Sequence, residues 1–125
     1  MELNDISGKI IELSIKVHKE LGPGMLESAY EACLLYELQK AGLKAESQLK
    51  LPIIYQNVKI EAGYRIDLLV EHLIIVELKT VERLLPIHEA QSLSYIKLSK
   101  LKLGLLINFN VKLLRDGIRR VVNNF

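Results

Sequence analysis

The sequence predicts an α/β domain in which helices flank a central mixed β-sheet of four to five strands. Two observations indicate this class. Apolar residues recur at helical spacing up to about residue 42, and β-rich stretches follow from Lys44 to Thr80. The 125 residues, half of them apolar, are enough for one domain with a buried core. We find no linker or internal repeat, so residues 1–125 are predicted to form a single domain.

The first two elements are predicted to be helices. Apolar residues recur at spacings of four, three and four along Ile6, Ile10, Leu13 and Val17. This spacing places them on one face of a helix that begins near Asn4 or Asp5. The Gly-Pro-Gly segment at 22–24 ends that helix. A second helix begins near Leu26 and ends at Ala41, because Gly42 offers a left-handed C-terminal cap.

Three β-rich stretches are predicted to follow the second helix. They cover Gln48 to Tyr55, Lys59 to Val70 and Leu73 to Thr80, as in a meander. Pro52 has no backbone N–H to donate to a neighbouring strand. We therefore expect the first of these strands to lie at an edge of the sheet or to carry a bulge.

The remainder of the chain is predicted to add one helix and two strands. Pro86 precedes a helix from Ile87 to Lys100. Its expected buried positions are Ala90, Leu93, Ile96 and Leu101. A short apolar strand runs from Leu103 to Phe109, and a last strand from Ile118 to Val122 follows the turn signal at 116–117.

Composition restricts the classes of protein only partly. The formal net charge of +2, from 17 basic and 15 acidic residues, is too near balance to identify a polyanion-binding protein. The single cysteine, Cys33, excludes an internal disulfide framework and a cysteine-based zinc site. No apolar run approaches the roughly 18 residues of a membrane span, and the N-terminus lacks a signal-peptide pattern. We therefore expect a cytoplasmic protein with no membrane association.

Charged residues interrupt two predicted strands that are otherwise strongly apolar. Because side chains alternate along a strand, Glu77 and Lys79 share one face, and Arg65 and Asp67 share one face of the preceding strand. A two-residue turn would place Asp67 and Glu77 on opposite faces of the hairpin. A three-residue loop at 71–73 pairs them and also pairs Arg65 with Lys79. We predict this longer loop, because it also directs the apolar residues on the opposite faces into the core. These are Tyr64, Ile66, Leu68 and Val70, which share one face of the first strand, and Ile74, Val76 and Leu78, which share one face of the second.

Two adjacent carboxylates indicate a site for a cation. They repel each other unless a cation lies between them, and Mg²⁺ or Mn²⁺ prefers carboxylate, carbonyl and water oxygens. Lys79 would then orient a water or help to deprotonate it, and would stabilise charge on a phosphate under attack. The same residues also fit a solvated hairpin with cross-strand ion pairs of about 0.2 to 1 kcal/mol each. Asp67, Glu77 and Lys79 alone do not decide between these interpretations.

Four short motifs lie along nearly the whole chain. Residues 24–30 read Gly-Met-Leu-Glu-Ser-Ala-Tyr, residues 66–67 read Ile-Asp, residues 77–79 read Glu-Leu-Lys, and residues 91–95 read Gln-Ser-Leu-Ser-Tyr. In this combination the sequence resembles the PD-(D/E)XK nucleases, and more narrowly the small prokaryotic GxxExxY proteins of that superfamily. The one departure is Ile66, which stands where the superfamily name has proline and does no chemistry. The resemblance implies a restriction-endonuclease-like core.

The resemblance also implies roles for individual residues. The expected metal ligands are Glu27, Asp67, Glu77 and the backbone carbonyl of Leu78. The expected catalytic residues are Asp67, Glu77, Lys79, Gln91 and Tyr95. Among these, Lys79 would assist the attacking water, and Gln91 and Tyr95 would orient the substrate. Taken without the resemblance, Glu27 is an ordinary acid in the first turn of a helix, and the stripe of His88, Gln91 and Tyr95 also fits a solvated helix face.

The implied function is metal-dependent hydrolysis of phosphodiester bonds in nucleic acid, with DNA as the expected substrate and Mg²⁺ or Mn²⁺ as the cofactor. Two alternatives stay open. One is a non-catalytic nucleic-acid- or protein-binding domain that retains the nuclease fold. The other is a metal-dependent phosphohydrolase that acts on a small nucleotide in a closed pocket. A homodimer would let a small nuclease span a duplex, although no residue demonstrates one.

Overall fold

Two helices pack on one face of a five-stranded sheet and a third helix packs on the other, in a computed structural model that describes residues 1–124. The helices are α1 (Leu3–Leu21), α2 (Glu27–Lys40) and α3 (Pro86–Leu98). The strands are β1 (Ala45–Lys50), β2 (Ile53–Tyr55), β3 (Val58–Ile60), β4 (Arg65–Val70), β5 (Ile74–Lys79), β6 (Leu103–Asn108) and β7 (Ile118–Val122), the last preceded by a 3₁₀ helix at Leu114–Gly117. The predicted α/β class is confirmed.

The central sheet has the strand order β1-β4-β5-β6-β7 and is mixed, as predicted. β5 and β6 are parallel, because the connection through α3 crosses over the sheet, and the other neighbours are antiparallel. The predicted three-strand meander is wrong in one respect. Each of its first two strands is divided in two, and β2 and β3 form a separate two-stranded sheet. Pro52 lies at the first division, and β1 is an edge strand as expected.

The core is divided between the two faces of the sheet. The cluster under α1 and α2 includes Ile10, Leu34, Val76 and Leu105. The cluster under α3 includes Ile75, Tyr95, Ile96 and Leu106. Among residues 1–124, no helix is both long enough and apolar enough to cross a membrane.

The buried face of α3 differs from the one predicted. Of the predicted positions, Ile96 is buried, but Ala90 is exposed and Leu93 is only partly buried. Ser92 and Tyr95, which were not predicted to be buried, complete the buried face. Ile96 can approach the sheet closely because β6 has Gly104 beneath it, where an added Cβ would lie 2.6 Å from Ile96 Cδ1. The helix therefore turns Tyr95, a predicted site residue, towards the sheet.

Tyr30, the last residue of the 24–30 motif, is a buried core residue. Its ring stacks on Phe109 with the ring centroids 4.4 Å apart. The Tyr30 hydroxyl donates to the Gly22 carbonyl and accepts a hydrogen bond of 3.1 Å from the Met25 N–H. Tyr30 therefore fixes the turn that leads into α2, and with it the position of Glu27 at the first turn of that helix.

Replacing Tyr30 by phenylalanine is expected to lower the free energy of unfolding by about 1 kcal/mol, because the Gly22 carbonyl and the Met25 N–H would both lose a partner. Urea unfolding followed by circular dichroism would measure the change. Tyr36→Phe is the matched control, since Tyr36 lies exposed on the same helix. Equal stability of the two variants would contradict an anchoring role for the Tyr30 hydroxyl.

Candidate active site

The β4–β5 hairpin brings Asp67 next to Glu77. The ladder pairs Val70 with Ile74 and Leu68 with Val76, so the connecting loop is the three-residue segment 71–73. Extending this register places Asp67 opposite Glu77, as the sequence predicted. Glu71 and His72 of the loop both have left-handed φ angles, of 53° and 56°, which turns the chain tightly between the strands.

Beyond Leu68 and Val76, backbone N–H groups of β4 and β5 donate to carboxylate side chains instead of to backbone carbonyls. The Leu78 N–H donates to Asp67 Oδ2 at 2.8 Å, and the Asp67 N–H donates to Glu77 Oε1 at 3.4 Å. Each strand therefore contributes one carboxylate to the backbone of the other. These two hydrogen bonds fix the carboxylates at the end of the hairpin.

The alternation of side chains along β4 is interrupted at Asp67. Ile66 packs in the cluster under α3, whereas Leu68 and Val70 pack in the cluster under α1 and α2. The prediction that these apolar residues share one face is therefore wrong for Ile66. Gln48, which the β1–β4 register places opposite Asp67, has a left-handed φ of 55°, so both strands change direction at the same point.

Glu77 is buried, with 6% of its surface exposed. Burial, together with the charge of Asp67 and a hydrogen bond to it, raises the pKa of Glu77 to about 9. Lys79 opposes this shift, but its effect is the smallest. At neutral pH the metal-free protein therefore holds a proton on Glu77 beside the Asp67 carboxyl group.

A second group of polar residues lies on the α2 side of Asp67, and two of them were not predicted. Gln48 Nε2 donates to Glu31 Oε1 at 2.6 Å and to Asp67 Oδ1 at 3.4 Å. Burial raises the pKa of Glu31, the Gln48 hydrogen bond opposes the shift, and the charges of Asp67 and Glu27 add to it. The sequence does contain a signal for Glu31, because it follows Glu27 by four residues and shares its helix face.

These residues surround a small cavity between α2 and the hairpin. The cavity has a volume of about 210 Å³. Its lining residues are Glu27, Ser28, Glu31, Gln48, Asp67 and Leu78. Two predicted metal ligands besides Asp67 therefore border it, Glu27 and Leu78. Glu27 also accepts a hydrogen bond of 3.4 Å from the Thr80 hydroxyl, just after β5.

Gln91 and Tyr95 lie on the α3 side of the carboxylates. Gln91 Nε2 donates to the Tyr95 hydroxyl at 3.1 Å. Burial raises the pKa of Tyr95, and the charge of Glu77 adds to this shift. His88, from the same polar stripe, instead accepts the Leu85 N–H at 2.9 Å through Nδ1 and so caps the start of α3.

Lys79 is half-buried at the end of β5, two residues beyond Glu77. Side-chain alternation places both on the face of the sheet that α3 covers. The chain after Lys79 is held by buried Asn108, whose side chain accepts from the Val81 N–H at 3.1 Å and donates to the Val81 carbonyl at 2.9 Å. The end of β5 and the residues that follow it are therefore fixed by neighbouring β6.

Among residues 1–124, no three histidine, cysteine, aspartate or glutamate side chains are grouped so as to hold a metal ion together. The chemistry of the donor set nevertheless fits a hard divalent cation. Asp67 and Glu77 are paired, and Glu27 and Glu31 border the same cavity as Asp67. A proton on Glu77 relieves the repulsion between the two carboxylates, as a bound cation would.

The mixed sheet with helices on both faces, and the hairpin that bears an aspartate opposite a Glu-x-Lys sequence, together fit a nuclease-type α/β domain. The family model described as the PD-(D/E)XK nuclease superfamily matches residues 4–121, and the chain belongs to that superfamily. Its members are generally hydrolytic nucleases that typically use divalent metal ions. Neither a curated protein nor a solved structure gives a significant match. Membership of the narrower GxxExxY family stays a prediction.

Proposed function

We propose that this protein is a divalent-metal-dependent nuclease that hydrolyses phosphodiester bonds, with DNA as its expected substrate. The observation that carries the proposal is the pairing of Asp67 with Glu77 through reciprocal hydrogen bonds to the backbone. A solvated hairpin with ion pairs would keep its carboxylates exposed and charged. Here the Glu77 carboxyl group is buried beside Asp67, which raises its pKa to about 9; burying such a group costs stability, and strongly shifted carboxyl groups are typical of functional sites.

The proposed metal ligands are Glu27, Asp67, Glu77 and the carbonyl of Leu78. Glu31 is a further candidate, because Gln48 already links its carboxylate to Asp67. A bound Mg²⁺ or Mn²⁺ would polarise a phosphoryl oxygen and lower the pKa of a water. Glu77 must release its proton before it can serve as a ligand.

Lys79, Gln91 and Tyr95 are proposed to act on the substrate. The Lys79 ammonium stabilises negative charge that develops on the phosphate and orients the attacking water. The Tyr95 hydroxyl accepts its hydrogen bond from Gln91, so its own hydrogen is directed elsewhere and can donate to a phosphate oxygen. These three side chains would thus hold the phosphodiester on the α3 side of the carboxylates.

The geometry argues against hydrolysis of a small nucleotide in a closed pocket. The cavity beside Asp67, at about 210 Å³, is smaller than the roughly 300 to 1,000 Å³ of most small-molecule sites. A non-catalytic binding domain would not need the buried pair of Asp67 and Glu77, whose burial costs stability. A homodimer and a cytoplasmic location stay predictions.

The proposal predicts that purified protein degrades labelled single- or double-stranded DNA with Mg²⁺ or Mn²⁺ and not with EDTA. Asp67→Ala and Lys79→Ala, shown to be folded by circular dichroism, should lose this activity, because one removes a ligand and the other the substrate-facing cation. Lys19→Ala, an exposed residue on α1, is the matched control and should cleave as the wild type does. RNA tested alongside would identify the preferred nucleic acid.

The outcome that contradicts the nuclease assignment is also defined. Absence of cleavage under every condition, together with no binding of Mg²⁺ or Mn²⁺ by titration calorimetry, would support the non-catalytic binding domain instead. Cleavage that survives in Lys79→Ala but not in Asp67→Ala would retain the nuclease and remove the role of Lys79.

A further inference from the structure

A β-hairpin projects from the sheet at residues 51–64, here called the arm. Its strands β2 and β3 form their own two-stranded sheet, in which Tyr55 pairs with Val58. The two residues between them, Gln56 and Asn57, both have left-handed φ angles, of 49° and 66°, as in a tight two-residue hairpin turn. An isolated two-stranded hairpin is marginally stable in water, so binding of the arm to a partner would add to its stability.

One face of the arm is apolar and exposed. Side-chain alternation places Ile53, Tyr55, Val58 and Ile60 on this face. Tyr55 is 60% exposed, Val58 57% and Ile60 41%. Single exposed apolar residues are ordinary on protein surfaces, but a contiguous exposed set that includes an aromatic ring is a candidate interaction site.

The base of the arm lies beside the proposed active site. The Leu51 N–H donates to the Tyr64 carbonyl at 2.9 Å, which closes the arm where β1 ends and β4 begins. The Tyr64 ring meets the Tyr95 ring edge to face, with centroids 5.9 Å apart. β4 begins and β5 ends at the same end of the sheet, so the arm leaves the sheet at the end that carries Lys79.

The charge around the arm is predominantly positive. Residues 50–65 contain three cationic residues, Lys50, Lys59 and Arg65, and one carboxylate, Glu61. All four are exposed, and Glu61 lies 3.9 Å from Lys59. A second copy of this chain seated arm against arm would bring like charges together, whereas a polyanion would be attracted.

We propose that the arm binds the substrate strand of the nuclease through unpaired bases. Tyr55 and its apolar neighbours would stack against base faces, while Lys50 and Arg65 at the base of the arm would contact phosphates. In an intact duplex the base faces are stacked inside and the phosphates lie outside, so an apolar ribbon has little to contact. The substrate class is therefore nucleic acid with a single-stranded, frayed or flapped segment next to the cleaved bond. This inference rests on the proposed function.

The test is fluorescence anisotropy with a short labelled single strand and a blunt duplex, in EDTA so that neither is cleaved. Tyr55→Ala should weaken single-strand binding about tenfold, since the variant loses the ring on which one base would stack. Tyr55→Phe should bind as the wild type does, because it keeps the aromatic ring. Tyr36→Ala, an equally exposed tyrosine on α2, is the matched control and should leave binding unchanged.

Three binding results would each overturn the role of the arm. They are absence of single-strand binding by the wild type, unchanged binding by Tyr55→Ala, and equal affinity for the blunt duplex. Sedimentation of a wild-type dimer that Tyr55→Ala converts to a monomer would also overturn it, by making a second copy the occupant. If the protein binds the single strand through Tyr55 but does not cleave DNA, only the proposed nuclease activity is contradicted. If it cleaves DNA and Tyr55→Ala binds the strand as the wild type does, only the proposed role of the arm is contradicted.

Discussion

Glu77→Gln is expected to reduce metal-dependent cleavage by at least about 100-fold while leaving the fold intact. Glutamine has the shape of a protonated glutamate, so the packing and the hydrogen bond from the Asp67 N–H can be kept. It cannot become an anion and would supply a much weaker metal ligand. Mutating groups that only support metal ligands costs about 10- to 100-fold, and loss of a ligand itself should exceed that range. Initial rates of DNA cleavage at saturating Mn²⁺ would measure the effect.

Glu46→Gln provides the matched control for this experiment. Glu46 is another carboxylate of the sheet, but it lies on β1 opposite Leu69, and its Oε1 is 3.7 Å from His72 Nδ1 in the loop at the far end of the hairpin. Its replacement should leave cleavage within about twofold of the wild type. A Glu77→Gln variant that cleaves as fast as Glu46→Gln would show that Glu77 is not a ligand for the catalytic metal.

The free energy of unfolding of the metal-free protein is expected to fall as pH rises through neutrality. The pKa of Glu77 is about 9 in the folded protein, because of burial and then of Asp67, against 4.5 for an ordinary glutamate. Between these two values the folded chain keeps a proton that the unfolded chain releases. Stability therefore declines by about 1.4 kcal/mol per pH unit from this group, or about 3 kcal/mol from about pH 6 to about pH 8.

Urea unfolding in EDTA across this pH range, for the wild type and Glu77→Gln, would isolate the contribution of Glu77. The raised pKa of Glu31 owes nothing to Glu77 and affects both proteins alike, and the pKa of Tyr95 is raised from 10 and so lies above this pH range. The variant should show a shallower decline and exceed the wild type in stability at the alkaline end. Parallel profiles for the two proteins would mean that Glu77 is already ionised in the folded state.

The register of the β4–β5 hairpin could be predicted because the sequence leaves one arrangement that satisfies both strands. Only a three-residue loop aligns the charged residues of β4 and β5 and keeps Leu68 and Val76 in the core. Helix α1 was predictable because its apolar spacing matches one period throughout, β6 because it is a short continuous apolar run, and β7 because a turn signal precedes it. Where a single periodicity governs an element, its position follows from the sequence.

Several features of the site were missed because a side chain replaces a backbone interaction there or because the backbone departs from its regular form. Asp67 accepts the Leu78 N–H, and the preceding residue, Ile66, packs on the opposite face of the sheet from Leu68. Gln48 joins the site from β1 because its backbone is left-handed, which no hydrophobic pattern records. Tyr30 shares a motif with Glu27, but its ring packs on Phe109 in the core. The sequence could not show this, because the contact joins residues far apart in the chain.

The short loop at 71–73 also has a consequence for the order of folding. A hairpin with so local a connection can form in about 1 to 10 μs, whereas the parallel pairing of β5 with β6 must wait for the crossover through α3. Asp67 and Glu77 should thus meet while still hydrated and lose water only when α3 docks.

Refolding from neutral solution is expected to take up a proton in that late phase, which stopped-flow mixing with a pH indicator would record. An early uptake would place docking of α3 before the hairpin. Desolvation of its own carboxylates is thus expected to be the last barrier that this nuclease-type fold crosses.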